Sequence, residues 1–198
     1  MKNIIIVIVI IIGVVAIASS IGSKKDNNQK DNVNQPETSS TQLAFPGKLS
    51  DDQIENKKAV IQTDKGIIEI ALMSDKAPLT VSNFVYLVNK GFYDGLTFHR
   101  IEPDFVVQGG DPGGNGTGGP GYKFEDEKVQ GEYVEGTVAM ANSGPNTNGS
   151  QFFINLVDNS KKLTKSYNLF GQVTSGMDVV KKLAVGDKMN SVKIVDSK

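Results

Sequence analysis

FHRIEPDFVVQGGD, residues 98–111, holds two apolar runs separated by Glu102-Pro103-Asp104 and followed by paired glycines. Pro and Asp form turns, and the flanking runs are short and rich in β-branched and aromatic side chains. Residues 97–101 and 105–108 therefore read as two strands joined by a tight turn. The same stretch contains His99, the only histidine, and Arg100, the only arginine among 21 Lys and Arg residues. A chain that otherwise uses lysine has set one guanidinium in an apolar strand beside Ile101, Phe105 and Val107. A planar fork of donors is not replaced by lysine, so this position calls for a specific function.

Outward from this stretch the texture is the same. Residues 59–63 and 66–72 alternate around Asp64-Lys65-Gly66 as a hairpin-like pair. Residues 77–90 predict a helix. Pro78 suits its first turn, Val81, Phe84, Val85 and Val88 share a face, and Gly91 stops it. A glycine loop spans 109–121. Residues 137–141, 151–156, 169–173 and 191–195 are further short strands, and 176–184 predicts a shorter second helix. No internal repeat is visible. The fold class is mainly β, a closed or nearly closed antiparallel barrel capped by two α-helices.

The N-terminal quarter differs. Met1-Lys2-Asn3 precedes fifteen residues, Ile4 to Ala18, without a polar side chain, and Ala16-Ile17-Ala18 offers a small-x-small cleavage site. Residues 1–21 read as a cleaved export signal or a membrane anchor, both of which send the remainder across a membrane. Residues 22–56, rich in Asn, Gln, Ser, Asp and Lys, read as a flexible polar linker. The globular domain is expected over 57–198.

Composition excludes several functions. With Lys+Arg 21 against Asp+Glu 22 the chain lacks the basic excess of a nucleic-acid binder. It has no cysteine, so disulfides, thiolate catalysis and cysteine-ligated metals are excluded. Gly114, Gly116 and Gly119 fit G-x-G-x-x-G, but Pro120-Gly121 follows where a nucleotide site needs a helix. Asn115-Gly116-Thr117 and Asn148-Gly149-Ser150 match the glycosylation pattern, which is a common accident. There is no G-x-S-x-G, and His99 reads as a structural histidine rather than part of a triad. The acidic run Glu125-Asp126-Glu127 reads as a solvated edge. Arg100, Phe105 and Gln108 together suggest a shallow apolar pocket with a fixed cation and an amide at its rim.

GTVAMANSGPNTNGSQFFINL, residues 136–156, is the second informative stretch. With FHRIEPDFVVQGGD, with GNGTGGPGYKFEDE and with the lead-in NFVYLVNKGFYDGLTFHRI, it resembles the cyclophilin family of peptidyl-prolyl cis/trans isomerases over about residues 57–198. The resemblance implies an eight-stranded antiparallel barrel closed by two helices, with the active site outside the barrel. It implies that Arg100 is the catalytic residue. Phe105, Val106 and Phe153 correspond to the walls of a proline pocket, with Val106 where many members have methionine. Gln108 and Gln151 correspond to a polar rim, and Ala141 and Asn142 to the segment holding the substrate backbone. Counted back from Phe170-Gly171, Leu163 matches the pocket's leucine and Tyr167 stands where many members have histidine. His99 matches a supporting residue beside the site. Lys162 stands where many members carry the tryptophan associated with tight cyclosporin binding, so the resemblance does not carry strong inhibition by that drug over to this chain.

The implied activity is acceleration of rotation about X-Pro bonds in exported or envelope proteins, assisting their folding. The implied partners are proline-containing unfolded or partly folded polypeptides, with membrane contact only through the N-terminal segment. The expected product is a monomer, membrane-anchored facing outward or secreted. Such a reaction requires no nucleophile, metal or cofactor. The alternative is a non-catalytic chaperone or scaffold that binds proline-containing segments, a role that dispenses with Arg100.

Overall fold

The computed structural model describes residues 43–197. Eight strands form one sheet: β1 (Lys57–Thr63), β2 (Gly66–Leu72), β3 (Phe98–Glu102), β4 (Val106–Gly109), β5 (Thr137–Met140), β6 (Phe152–Asn155), β7 (Leu169–Ser175) and β8 (Ser191–Asp196). Each expected strand is present, with ends displaced by a residue or two. The order across the sheet is β3-β4-β6-β5-β7-β2-β1-β8, and every pairing is antiparallel. Three helices accompany it: α1 (Asp51–Ile54), α2 (Pro78–Asn89) and α3 (Met177–Val180).

The expected closed barrel is not formed; the sheet is a half-barrel whose edges, β3 and β8, do not pair. Their ends are tied through the segment before β8. Thr97 bridges Lys188, Phe98 N donates to Asp187 O at 2.9 Å, and Met189 N donates to Leu96 O at 2.8 Å. This segment cannot extend into a full ladder because it turns at Gly186 (φ 94°), where Ala184 N donates to Asp187 Oδ2 at 2.7 Å. The second helix is shorter than expected. Instead of running over 176–184, α3 stops at Val180, and Lys182 N and Leu183 N bond three residues back as the chain bends toward β3.

Of the expected linker over 22–56, residues 22–42 lie outside the described residues. Its part from Leu43 onward is packed on the domain. Leu43, Phe45 and Leu49 lie against the main core, and Ile54 of α1 is buried. The Phe45 ring stacks on Phe124 with centroids 5.0 Å apart, and Leu49 N donates to Ser82 Oγ of α2 at 2.9 Å. Apolar residues spaced irregularly in a polar stretch carry no periodic signal, so only the surface they cover reveals them. The expected signal or anchor, residues 1–21, lies outside the described residues. Among the described residues no helix is long and apolar enough to cross a membrane.

This covering, which reaches Ser82, and the loops carrying Tyr122, Glu127 and Gly149 bury α2 well beyond the apolar face predicted for it. Thr80, Ser82 and Asn83 are as buried as Val81 and Phe84. Asn83 is satisfied on the far side by Tyr122 Oη, which donates at 2.7 Å, and by Gly149 O, which accepts at 2.8 Å. The core face of the helix packs Phe84 against Tyr93, Phe152 and Phe170. As expected, Gly91 ends the helix in a left-handed conformation (φ 67°), with Phe92 N reaching back to Leu87 O.

Ala77 at the helix start offers no capping side chain, and Glu127 supplies one from a distant loop. Its carboxylate accepts from Leu79 N at 2.9 Å, Thr80 N at 2.8 Å and Thr80 Oγ1 at 2.6 Å. The acidic run is therefore not merely a solvated edge; one member satisfies the orphan donors of α2 and faces the positive end of its dipole. Glu127→Ala is expected to lower stability by about 1–2 kcal/mol. Chemical denaturation would read this as a lower midpoint at unchanged slope, and an unshifted midpoint would refute the capping role.

Candidate active site

The strands place their side chains on two faces, and each face carries its own apolar cluster. Val107, Val138, Phe152 and Ile154 point into the main core. Their chain neighbours Val106, Ala139 and Phe153 belong to a second cluster, centred with Leu169 and Tyr133 on the opposite face. Phe105, Ala141, Leu163 and Tyr167 pack at the margin of this second cluster and remain half-buried, so it opens to solvent there. Phe153 meets Tyr167 edge-on with centroids 5.5 Å apart. The result is a shallow apolar recess on the outer face of the sheet.

Register sets the polar side of the recess. Arg100 pairs with Gln108, Gln108 with Phe153, and Phe153 with Ala139, so one row crosses four strands. Arg100 Nη1 donates to Gln108 Oε1 at 3.1 Å. Gln108 Nε2 donates to Gln151 Oε1 at 2.9 Å, and Gln151 Nε2 donates to the carbonyls of Gly116 at 3.0 Å and Gly118 at 2.9 Å. The direction of this chain fits the donor-only Arg100 at one end and the acceptor-only carbonyls of Gly116 and Gly118 at the other. A guanidinium only donates, so each amide must turn its oxygen toward Arg100 and its nitrogen away. Arg100 Nε also lies 3.5 Å from Glu102 Oε1, a solvent-exposed pair that contributes little to stability. Nη2 has no acceptor among the described residues.

Two loops hold the pocket walls. Between β3 and β4, Pro103 and left-handed Asp104 (φ 56°) form a turn closed by Phe105 N donating to Glu102 O at 3.1 Å. Asn159 Nδ2 fixes the Phe105 carbonyl at 2.9 Å. Asn142 Nδ2 donates to Ser166 O at 2.8 Å, joining the Ala141-Asn142 segment to the one carrying Tyr167. Lys162 places its ammonium 5.8 Å from the Phe105 ring centroid, at the pocket's edge.

His99 sits where the register slips between Phe98 and Arg100. Its two ring nitrogens are buried and have no hydrogen-bond partner among the described residues. Burial lowers its pKa from the ordinary 6.5; nearby Asp111 opposes that shift and the Arg100 charge reinforces it.

Of the expected site residues, the structure brings Phe105, Val106, Ala141, Phe153, Leu163 and Tyr167 together in the outer cluster and Arg100, Gln108 and Gln151 into one hydrogen-bonded chain, with Asn142 next to Ala141 and bonded to Ser166. Tyr133 was not among them. It is fully buried beneath Tyr167, donating from Oη to Tyr167 O at 2.8 Å and accepting from Tyr167 N at 3.1 Å. It lies in GEYVEG, outside any strand, where no spacing marks it. Asn159 and Asp111 were missed for the same reason. Among the described residues no group of acidic or histidine side chains is placed to hold a metal ion.

Comparison with known proteins adds to this geometry. Residues 58–198 match the family model described as cyclophilin type peptidyl-prolyl cis-trans isomerase/CLD. A peptidyl-prolyl cis-trans isomerase of Synechococcus elongatus is 47% identical over 140 residues, covering 70% of this chain and 96% of that protein. Peptidyl-prolyl cis-trans isomerase B of Bacillus subtilis is 47% identical over 133 residues, covering 66% of this chain and 92% of its own length. A crystal structure of a Cryptosporidium parvum cyclophilin type isomerase superposes with a TM-score of 0.65 at 29% identity, covering 71% of this chain and 98% of that one. A second structure of that protein, in the presence of the dipeptide Ala-Pro, superposes with a TM-score of 0.60 at 30% identity, covering 70% of this chain and 98% of that one.

Proposed function

The chain belongs to the cyclophilin-type peptidyl-prolyl cis-trans isomerase family, and we propose that Arg100 and the outer recess carry its activity on X-Pro bonds of exported or envelope polypeptides. The observation that supports this most is the row that sets a guanidinium beside an apolar recess through Gln108 and Phe153.

Rotation about X-Pro must cross a barrier of roughly 18–20 kcal/mol, which is the lost amide resonance. In the twisted state the proline nitrogen regains its lone pair and becomes a hydrogen-bond acceptor, which it is not in the planar amide. A donor aimed at that nitrogen binds the transition state selectively. Arg100 offers this donor while Gln108 holds its other arm. The recess of Val106, Phe153, Leu163 and Tyr167 holds the proline ring, with Phe105 as a wall, and the carbonyl side rotates. Ala141 and Asn142 hold the substrate backbone. Proline-containing polypeptides are the proposed partners, consistent with the Ala-Pro used with the Cryptosporidium parvum relative.

The proposal of exported clients rests on residues 1–21, whose composition is that of a signal or anchor. Fractionation of cells, with detection of the isomerase domain on the outer side of the membrane, tests it. Recovery of the whole chain from the cytosol would overturn it.

The proposed reaction uses no titrating acid or base. Because folding lowers the His99 pKa from 6.5, His99 is neutral above that value. kcat/KM is expected to stay flat between about pH 6 and 8, the window in which an unperturbed histidine would titrate. Folding favours the neutral ring, so its contribution to stability is complete above 6.5 and is lost as pH falls toward the lowered folded value. A bell-shaped rate profile in that window would assign His99 a proton-transfer role instead.

A further inference from the structure

Asp111 lies at the start of the glycine loop, behind the amide chain that ends on Arg100. Its residue is 1% exposed. Oδ1 accepts from Gly113 N at 2.7 Å, and Oδ2 accepts from Asn115 N at 3.0 Å and Gly116 N at 2.5 Å. Convergence of successive backbone N–H groups on one anion forms a nest, here filled by the protein's own side chain. Burial alone would raise the Asp111 pKa, but the N–H groups of Gly113, Gly116, Asn115 and Gly118 outweigh it and hold the carboxyl below its ordinary value.

The loop is shaped to this carboxylate. A Cβ at Gly118 would overlap Asp111 Oδ1, and one at Gly110 would overlap Ser150 O, so both positions require glycine. The loop over 110–121 contains little apolar surface and residues 112–117 are exposed, so packing does not determine its course. The carboxylate does. Its consequence is the placement of two carbonyls, Gly116 O and Gly118 O, both accepting from Gln151 Nε2. Those carbonyls oblige Gln151 to turn its Oε1 toward Gln108, which in turn orients Gln108 Oε1 toward Arg100.

We infer that Asp111 is a positioning residue for the isomerase reaction, holding Gly116 and Gly118 so that Gln151 and Gln108 aim the Arg100 guanidinium. This rests on the reading of Arg100 as the donor. Asp111 touches no substrate; it acts through the loop and the two amides.

The test uses the full chain and NMR exchange kinetics on a proline-containing peptide, with circular dichroism to establish folding. Asp111→Ala is expected to lower kcat/KM about tenfold, mainly in kcat, because a misaimed donor costs rate more than affinity. In a Gln151→Ala background the same substitution should cost less than about twofold, since the relay is already cut. Wild-type turnover in a folded Asp111→Ala chain overturns the inference. So does an equal loss with and without Gln151, which marks a merely structural role. Should the alanine variant not fold, Asp111→Asn carries the same cycle, because its amide nitrogen faces backbone donors it cannot accept from. Arg100→Ala runs alongside. If that variant also keeps full activity, the reading of Arg100 fails; if only Arg100→Ala loses activity, the relay alone fails.

Discussion

Arg100→Ala is expected to lower kcat/KM on a proline-containing peptide by about 10²–10³-fold, the cost of removing one preorganised transition-state donor. The loss should lie mainly in kcat, because the planar substrate offers the proline nitrogen to no donor and the guanidinium binds the twisted state alone. The fold should survive. The Arg100 side chain is 42% exposed, and its ion pair with Glu102 is a surface contact of small worth. Arg100→Lys should recover little, since a single ammonium cannot hold Gln108 and face the substrate at once. A folded Arg100→Ala chain with near-normal turnover would remove Arg100 from the reaction. Retained binding of proline peptides in an already inactive wild type would favour the chaperone reading.

The second large effect separates two neighbouring phenylalanines. Phe152 is completely buried and packs edge-on to Phe84 at 5.7 Å and to Tyr93 at 5.8 Å, inside the main core. Phe152→Ala should cost about 3–5 kcal/mol of stability, enough to unfold much of the population of a domain of ordinary stability. Phe153 lies one residue on and faces the other way, into the recess beside Tyr167. Phe153→Ala also opens a buried site, but its main expected consequence is loss of the surface against which the proline ring lies. Peptide KM should rise at least tenfold, equivalent to about 1.4 kcal/mol of binding. Thermal denaturation and steady-state kinetics on both variants decide the matter. Equal kinetic damage from the two, after correction for the unfolded fraction, would contradict the assignment of faces.

That pair also shows what was legible in the chain. Strand positions were readable because β-branched and aromatic runs bounded by Gly, Pro and Asp are local signals. The hairpin at Pro103-Asp104 and the end of α2 at Gly91 were readable because φ preferences belong to single residues. The expected site residues were read from long motifs shared with a family. Composition showed only that a lone arginine in an apolar strand was unusual.

Other features needed the folded chain. β5 and β6 are buried at every position, so alternation does not tell which face of Phe152-Phe153 meets the core. Only the pairing of β6 with β4 and β5 assigns it. The packing of Leu43, Phe45 and Leu49 was hidden in a polar segment, and Glu127 in an acidic run, because their partners lie 33 to 79 positions away. The half-barrel, in place of the expected closed one, is set by how the turn at Gly186 meets Thr97 and Phe98.

By itself, the sequence determined the local conformations, the supply of chemically apt side chains and the family. Tertiary structure decided which faces those side chains share, how the edges of the sheet meet and which buried carboxylate orders the glycine loop. The physical reason is range: steric preference acts within a few residues, whereas register, burial and the satisfaction of buried polar groups depend on partners that only folding brings together.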